Sequence, residues 1–191
     1  MDARQATAAD ARAVGTTLGA AFADDPVWRW LVGDRAAPVV AALTRHGCER
    51  HPEQFTMVGE DAVAWWHPPG QWRLGLAETL RLAPKVGPIA RLGTLRLLRM
   101  SAAIEKQHPH EPHAYLGYVG AAVQGKGRGA AALAPALEVC DAFGWPAYLE
   151  SSNPRNLPFY RRHGFVDREP LRVPAGCPVI TPMWRDARSP R

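Results

Sequence analysis

Three glycines at alternate positions, Gly125, Gly127 and Gly129, sit in Val123–Gly129 (VQGKGRG), with Lys126 and Arg128 between them. The run before them, 113–123 (HAYLGYVGAAV), is apolar and aromatic enough for a strand. The run after them, Ala130-Ala131-Ala132-Leu133, is a strong helix former. A strand that turns on glycines straight into a helix gathers unpaired backbone N–H groups and the positive end of a helix dipole at one point. Such a point suits a phosphate. Which phosphate compound it holds largely decides what the chain does.

Two nucleotide readings fail, one on spacing and one on a missing metal ligand. A dinucleotide fingerprint needs GxGxxG, and Gly125–Gly129 gives GxGxG, late in the chain. A nucleotide P-loop needs Ser or Thr after Gly-Lys to hold magnesium, and Gly127 stands there.

Gln124–Gly129 has the form Q-x-x-G-x-G, which resembles the acetyl-CoA motif of the GNAT N-acetyltransferase family. A second stretch, 153–165 (NPRNLPFYRRHGF), is similar to that family's late motif, an asparagine ahead of a helix carrying F-Y-x-x-x-G-F. The opening Ala20–Pro26 resembles the first-helix region of bacterial small-molecule members, and 146–165 looks most like the puromycin N-acetyltransferase group.

The resemblance implies an α/β fold. It would be one GNAT-type domain, with a mixed, mostly antiparallel sheet of about six to seven strands, splayed at the acetyl-CoA cleft and flanked by helices. It implies acetyl-CoA as cosubstrate, held by Val119, Gln124, Gly125, Lys126, Gly127, Arg128, Gly129, Ala130 and Asn156. It implies direct attack of an amine on the thioester, with Tyr160 as general acid to the leaving thiolate. Asn156, or Asn153, can also cap the helix that follows. The family's strand ahead of the glycines carries a bulge that opens it for pantetheine. Its usual proline three residues before the Gln is Ala121 here.

Glu150 ends the strand predicted at 146–150. It could accept the amine proton directly or through water, or it could cap the strand end or bind the acceptor's charge. His113 is a second candidate base. Phe22, Asp25, Trp28, Trp66 and His113 fall on segments that would border the acceptor. The expected acceptor is a primary amine on a small molecule. A protein or peptide amine, and a silent acyl-CoA-binding sensor, are the alternatives.

The remaining sequence supplies a frame. Thr7 and Asp10 mark a helix start, alanine-rich sequence runs to Phe22, a short helix begins at Val27 and ends at Gly33, and another spans 36–50. Residues 55–58 and 62–66 read as a hairpin. In 72–106, Pro84 and Pro88 are expected to break the chain into helical pieces. The last strand is predicted over 179–184, so the domain is 1–184 and 185–191 is a flexible tail.

With 191 residues and 47% hydrophobic content, one domain suffices. The net charge of +5 comes from scattered arginines, which favours a solvated basic surface over a nucleic-acid site. Cys48, Cys140 and Cys177 are widely spaced and read as reduced thiols. The loop 107–113 (QHPHEPH) lacks metal-ligand spacing, so no metal is expected. No signal-like or membrane-length apolar run occurs, so the expectation is a cytoplasmic protein without membrane partners, with a homodimer left open.

Overall fold

The computed structural model describes residues 2–123 and 126–188. Its strands are β1 (Ala3–Gln5), β2 (Phe55–Val58), β3 (Ala62–His67), β4 (Ala114–Ala121), β5 (Ala147–Ser151), β6 (Val166–Asp167) and β7 (Thr181–Arg185). They form one sheet in the order β1-β2-β3-β4-β5-β7-β6. Every neighbouring pair is antiparallel except β4 with β5. That parallel pair meets only at Ala114 with Ala147 and Tyr115 with Tyr148. Beyond it β4 continues to Ala121 and β5 to Ser151 without pairing to each other, so the sheet splits there.

The helices are α1 (Ala11–Ala21), α2 (Pro26–Val32), α3 (Ala36–Arg50), α4 (Leu76–Ala90), α5 (Gly93–Gln107), α6 (Arg128–Phe143) and α7 (Leu157–Arg162). Alternation along the strands sorts the core onto two faces. Ala62, Ala64, Trp66 and Leu116 bury against Leu133, Leu137 and Cys140 of α6, joined by Leu149 and Tyr160. Phe55, Met57 and Val63 bury against Val14 and Leu18 of α1 and Val40 and Cys48 of α3. A third cluster joins α2, α3, α4 and α5 through Leu31, Val39, Val86 and Met100.

The bulge that the family resemblance implies is present, at Gly117. Trp65 faces Tyr118 and Trp66 faces Leu116, which leaves Gly117 as the extra residue of β4. A Cβ at Gly117 would lie 3.2 Å from His67 Nε2. The missing proline at Ala121 is therefore no obstacle, because the kink sits four residues earlier.

Three expectations need correction. Pro84 and Pro88 do not break α4, which runs through both. They are exposed and one turn apart, so the carbonyls they deprive of a donor face water, where the cost is smallest. The chain does not loosen at Arg185. That residue completes β7, is 3% exposed and places Nη2 2.7 Å from Asp141 Oδ2, while the Arg188 amide donates to Asp141 Oδ1 at 2.8 Å. β1 was missed because Ala3, Arg4 and Gln5 form too short an edge run to carry an alternating apolar signal.

The α3–sheet contact is close enough to test. A Cβ on Gly47 would lie 2.5 Å from the Trp65 ring. Gly47→Ala is expected to destabilise the fold by about 1–3 kcal/mol through overpacking. In a chain of this size each 1 kcal/mol lowers the melting temperature by about 2–4 °C. Differential scanning calorimetry measures it, and an unchanged transition would show that the Trp65 stack can shift freely.

Candidate active site

The glycine turn leads directly into α6. Gly127 has φ of 70°, a left-handed conformation that favours glycine, and it caps α6. The first bond of the helix runs from the Ala131 amide to the Gly127 carbonyl at 3.0 Å. The amides of Arg128, Gly129 and Ala130 therefore have no acceptor within the helix. Gly129 faces α7, where an added Cβ would lie 3.8 Å from the Phe159 ring. Gln124 and Gly125 lie outside the described residues.

Around this turn the expected cofactor residues divide. Lys126 is exposed. Arg128 pairs with Asp61 in the β2–β3 turn, so its charge is largely committed to holding that turn. The Ala122 amide donates to the Asp61 carbonyl at 2.7 Å and fixes the same junction. Val119 lies on β4 past the bulge, its side chain partly buried against the α6-facing core. Asn156 is exposed just ahead of α7. Asn156 makes no side-chain cap for α7, whereas Asn153 caps the 3-10 turn Pro154–Asn156 ahead of it, its Oδ1 accepting from the Arg155 amide at 3.1 Å.

Tyr160 lies on α7, 8% exposed, edge-on to Phe159 and Phe165. Burial, reinforced by the charge of Asp25, raises its phenol well above the usual tyrosine range, so it stays protonated at neutral pH. Asp25 caps α2: its Oδ1 accepts from the amides of Val27 and Trp28, each at 3.0 Å. Its Oδ2 accepts from Ser152 Oγ at 2.6 Å, which ties α2 to the segment after β5. Burial raises its carboxyl, and these three bonds oppose the rise.

Phe22 and Trp28 close on Tyr118 of β4, with ring centroids 5.4 and 6.3 Å away. Burial, and after it the charge of Asp25, raise the Tyr118 phenol as well, so Phe22, Asp25, Trp28 and Tyr118 share one neighbourhood. Trp66 does not join them. It points to the opposite face and, with Pro135, Val139 and Trp145, lines a separate cavity of about 320 Å³. Its neighbour Trp65 stacks on Tyr118 at 5.5 Å instead.

Glu150 stands on β5 at the split, its side chain 5% exposed. Tyr115 Oη donates to its Oε2 at 2.6 Å, and burial and that carboxylate raise the Tyr115 phenol far above its ordinary value. Oε1 lies 3.3 Å from His108 Nδ1. His113 does not reach the cleft. Its Nδ1 donates to the Glu111 carbonyl at 2.6 Å and its Nε2 meets His108 Nε2 at 2.9 Å. Burial lowers its proton affinity. Trp72 stacks on His108 at 3.6 Å and seals it from solvent. Sequence reasoning missed His108 and Tyr115. The signal for His108 was the histidine-rich loop 107–113, read there as a plain loop.

Burial pushes the Cys48 and Cys140 thiols up to about 11, which leaves them poor nucleophiles. Among the described residues no group of His, Cys, Asp and Glu is placed to hold a metal ion. Among them, too, no helix is long and apolar enough to cross a membrane.

Comparison with known proteins places this geometry. The family model described as the acetyltransferase (GNAT) family matches residues 41–165, well over half of the chain. An uncharacterised N-acetyltransferase, C550.08, from Schizosaccharomyces pombe is 42% identical over 59 residues, which are 30% of this chain and 24% of the yeast protein. The chain thus spans about a quarter of that relative's length. A structure described as histone acetyltransferase HPA2 and related acetyltransferase, from Corynebacterium glutamicum, superposes with a TM-score of 0.70 at 23% identity, covering 99% of this chain and 97% of that one. Arylalkylamine N-acetyltransferase 2 from Aedes aegypti superposes with a TM-score of 0.60 at 10% identity, over 97% and 98% of the two chains. At these identities the structural matches speak to the fold.

Proposed function

The chain belongs to the GNAT acetyltransferase family, and on that premise we propose that it moves an acetyl group from acetyl-CoA to a primary amine of a small molecule. One observation carries the reading: a buried carboxylate and a buried phenol flank the split in the sheet from opposite faces. Leu149 of β5 packs in the same cluster as Tyr160, and Glu150, the next residue, points to the other face. The α6–α7 face, with amides at Arg128, Gly129 and Ala130 that lack an acceptor within the helix, supports placement of the coenzyme A pyrophosphate. Phe22, Asp25, Trp28 and Tyr118 line the acceptor side.

Coenzyme A brings the thioester, and the protein orders the protons. Glu150 takes a proton from the substrate ammonium, and the free amine attacks the thioester carbonyl. Tyr160, still protonated, gives its proton to the leaving sulfur. The carboxylates of Asp25 and Glu150 favour a cationic acceptor, and the rings of Phe22, Trp28 and Tyr118 favour an apolar or aromatic body behind the amine.

The HPA2-type match supports a protein acceptor as the competing reading, and the arylalkylamine match supports a small one. Steady-state kinetics with acetyl-CoA over aryl-alkyl amines, polyamines and basic peptides separates them. The expected result is a kcat/KM at least about tenfold higher for an aryl-alkyl amine than for any peptide. A peptide preferred by that margin would overturn the substrate class.

A further inference from the structure

His108, Glu150 and His113 form a buried chain whose proton count follows from the acceptors around it. The Glu111 carbonyl can only accept, so the 2.6 Å contact requires a proton on His113 Nδ1. Neutral His113 then offers a lone pair at Nε2, and His108 Nε2–H must donate across the 2.9 Å contact. That leaves His108 Nδ1 bare if the ring is neutral. It faces Glu150 Oε1 at 3.3 Å.

Neither of these two buried atoms has a hydrogen-bond partner among the described residues. Two lone pairs in a sealed site repel and go unsatisfied, whereas one proton between them creates a charge-assisted bond. The other carboxylate oxygen is occupied by Tyr115 Oη.

We infer that Glu150 and His108 work as a unit that shares one proton across this contact, with His108 as a positioning residue acting through the carboxylate. The step rests on the acetyl-transfer reading and balances simply. The substrate ammonium gives one proton to Glu150, the proton passes to His108 Nδ1, and the products are the free amine and an imidazolium–carboxylate pair. The pair returns the proton to solvent before the next turnover. His113, anchored to the Glu111 carbonyl, fixes the ring so that Nδ1 and not Nε2 meets Glu150.

Other groups around the pair do not compete. From β3, His67 is lowered to about 4 by burial. From β4 and β5, Tyr115 and Tyr148 are raised by burial and then by Glu150, which both phenols face, so both stay protonated beside it. His113 is lowered. The cations Arg73, over Trp72, and Arg168, over Trp184, lie behind aromatic rings.

His108→Asn tests the inference, because asparagine keeps an N–H where Nδ1 stands but cannot take up or release a proton. Relative to wild type, kcat at neutral pH is expected to fall by about tenfold to 100-fold. The ascending limb of the kcat/KM profile is expected to move toward acid, since asparagine cannot take over the proton that Glu150 receives. An unmoved limb would reduce His108 to packing and overturn the inference. Nitrogen-15 NMR of histidine-labelled wild-type protein decides the same point without any turnover. The expected spectra show His108 Nδ1 taking up its proton at higher pH in wild type than in Glu150→Gln, and uptake at the same pH in both would overturn it. If no amine is acetylated, the NMR result stands alone and the fault lies with the functional reading.

Discussion

Tyr160→Phe is expected to lower kcat by about 100-fold or more, with KM for acetyl-CoA changed by less than about twofold. The phenol is held neutral by burial and by Asp25, so at physiological pH it is a poised donor with its proton in place. Removing one oxygen from a ring packed on Phe159 and Phe165 leaves those contacts intact. The fold should therefore survive, and the loss falls on the step in which the thiolate leaves. The pH dependence has a definite sign. An acid whose folded pKa lies above the usual tyrosine range is active below that range and fails only as pH rises through the shifted value. The wild-type profile should show no tyrosine-linked decline until strongly alkaline pH. Stopped-flow thiol release measures both effects. A Tyr160→Phe enzyme at wild-type rate would leave the leaving group to solvent.

Glu150→Gln is expected to lower kcat/KM at neutral pH by about 100-fold to 1000-fold. Glutamine preserves the shape and still accepts from Tyr115 Oη, so the change isolates the loss of a base. The diagnostic lies again in pH. Wild type should rise and then level off once the carboxylate pair is free to accept a proton. The variant has no internal base and depends on amine that is already neutral, so its rate should keep climbing toward the ordinary pKa of the substrate amine. A plateau at the wild-type position would assign the base elsewhere, with Asp25 the nearest carboxylate in the cleft.

Much of this site was readable because its signals are local. Gly127 and Gly129 announce a turn into α6 whatever the rest of the chain does. The stretch 153–165 carries its own cap, helix and closing glycine, and it brought Tyr160 with it. Glu150 was readable as an acid at the end of a predicted strand.

The failures are non-local. His108 becomes meaningful only when the sheet brings it to Glu150, 42 positions away, under the lid of Trp72. Trp65 and Trp66 are neighbours in sequence, and only strand register decides which one faces the cleft side. The bulge at Gly117 shifts the β3–β4 register between those two tryptophans. Arg128 pairs with Asp61 of the β2–β3 hairpin, a partner 67 positions away that local sequence does not reveal. Pro84 and Pro88 looked like helix breaks because sequence does not reveal that their deprived carbonyls face water.

The central claim is acetyl transfer across the split between β4 and β5, and one measurement meets it directly. The protein is incubated with acetyl-CoA carrying a labelled acetyl group and with an aryl-alkyl amine, and free coenzyme A and labelled product are quantified together. The account predicts equal amounts of coenzyme A and N-acetylated amine, both dependent on the amine and both abolished in the Tyr160→Phe, Glu150→Gln double variant. Binding of acetyl-CoA with no labelled amine formed, from small amines or peptides alike, would contradict it.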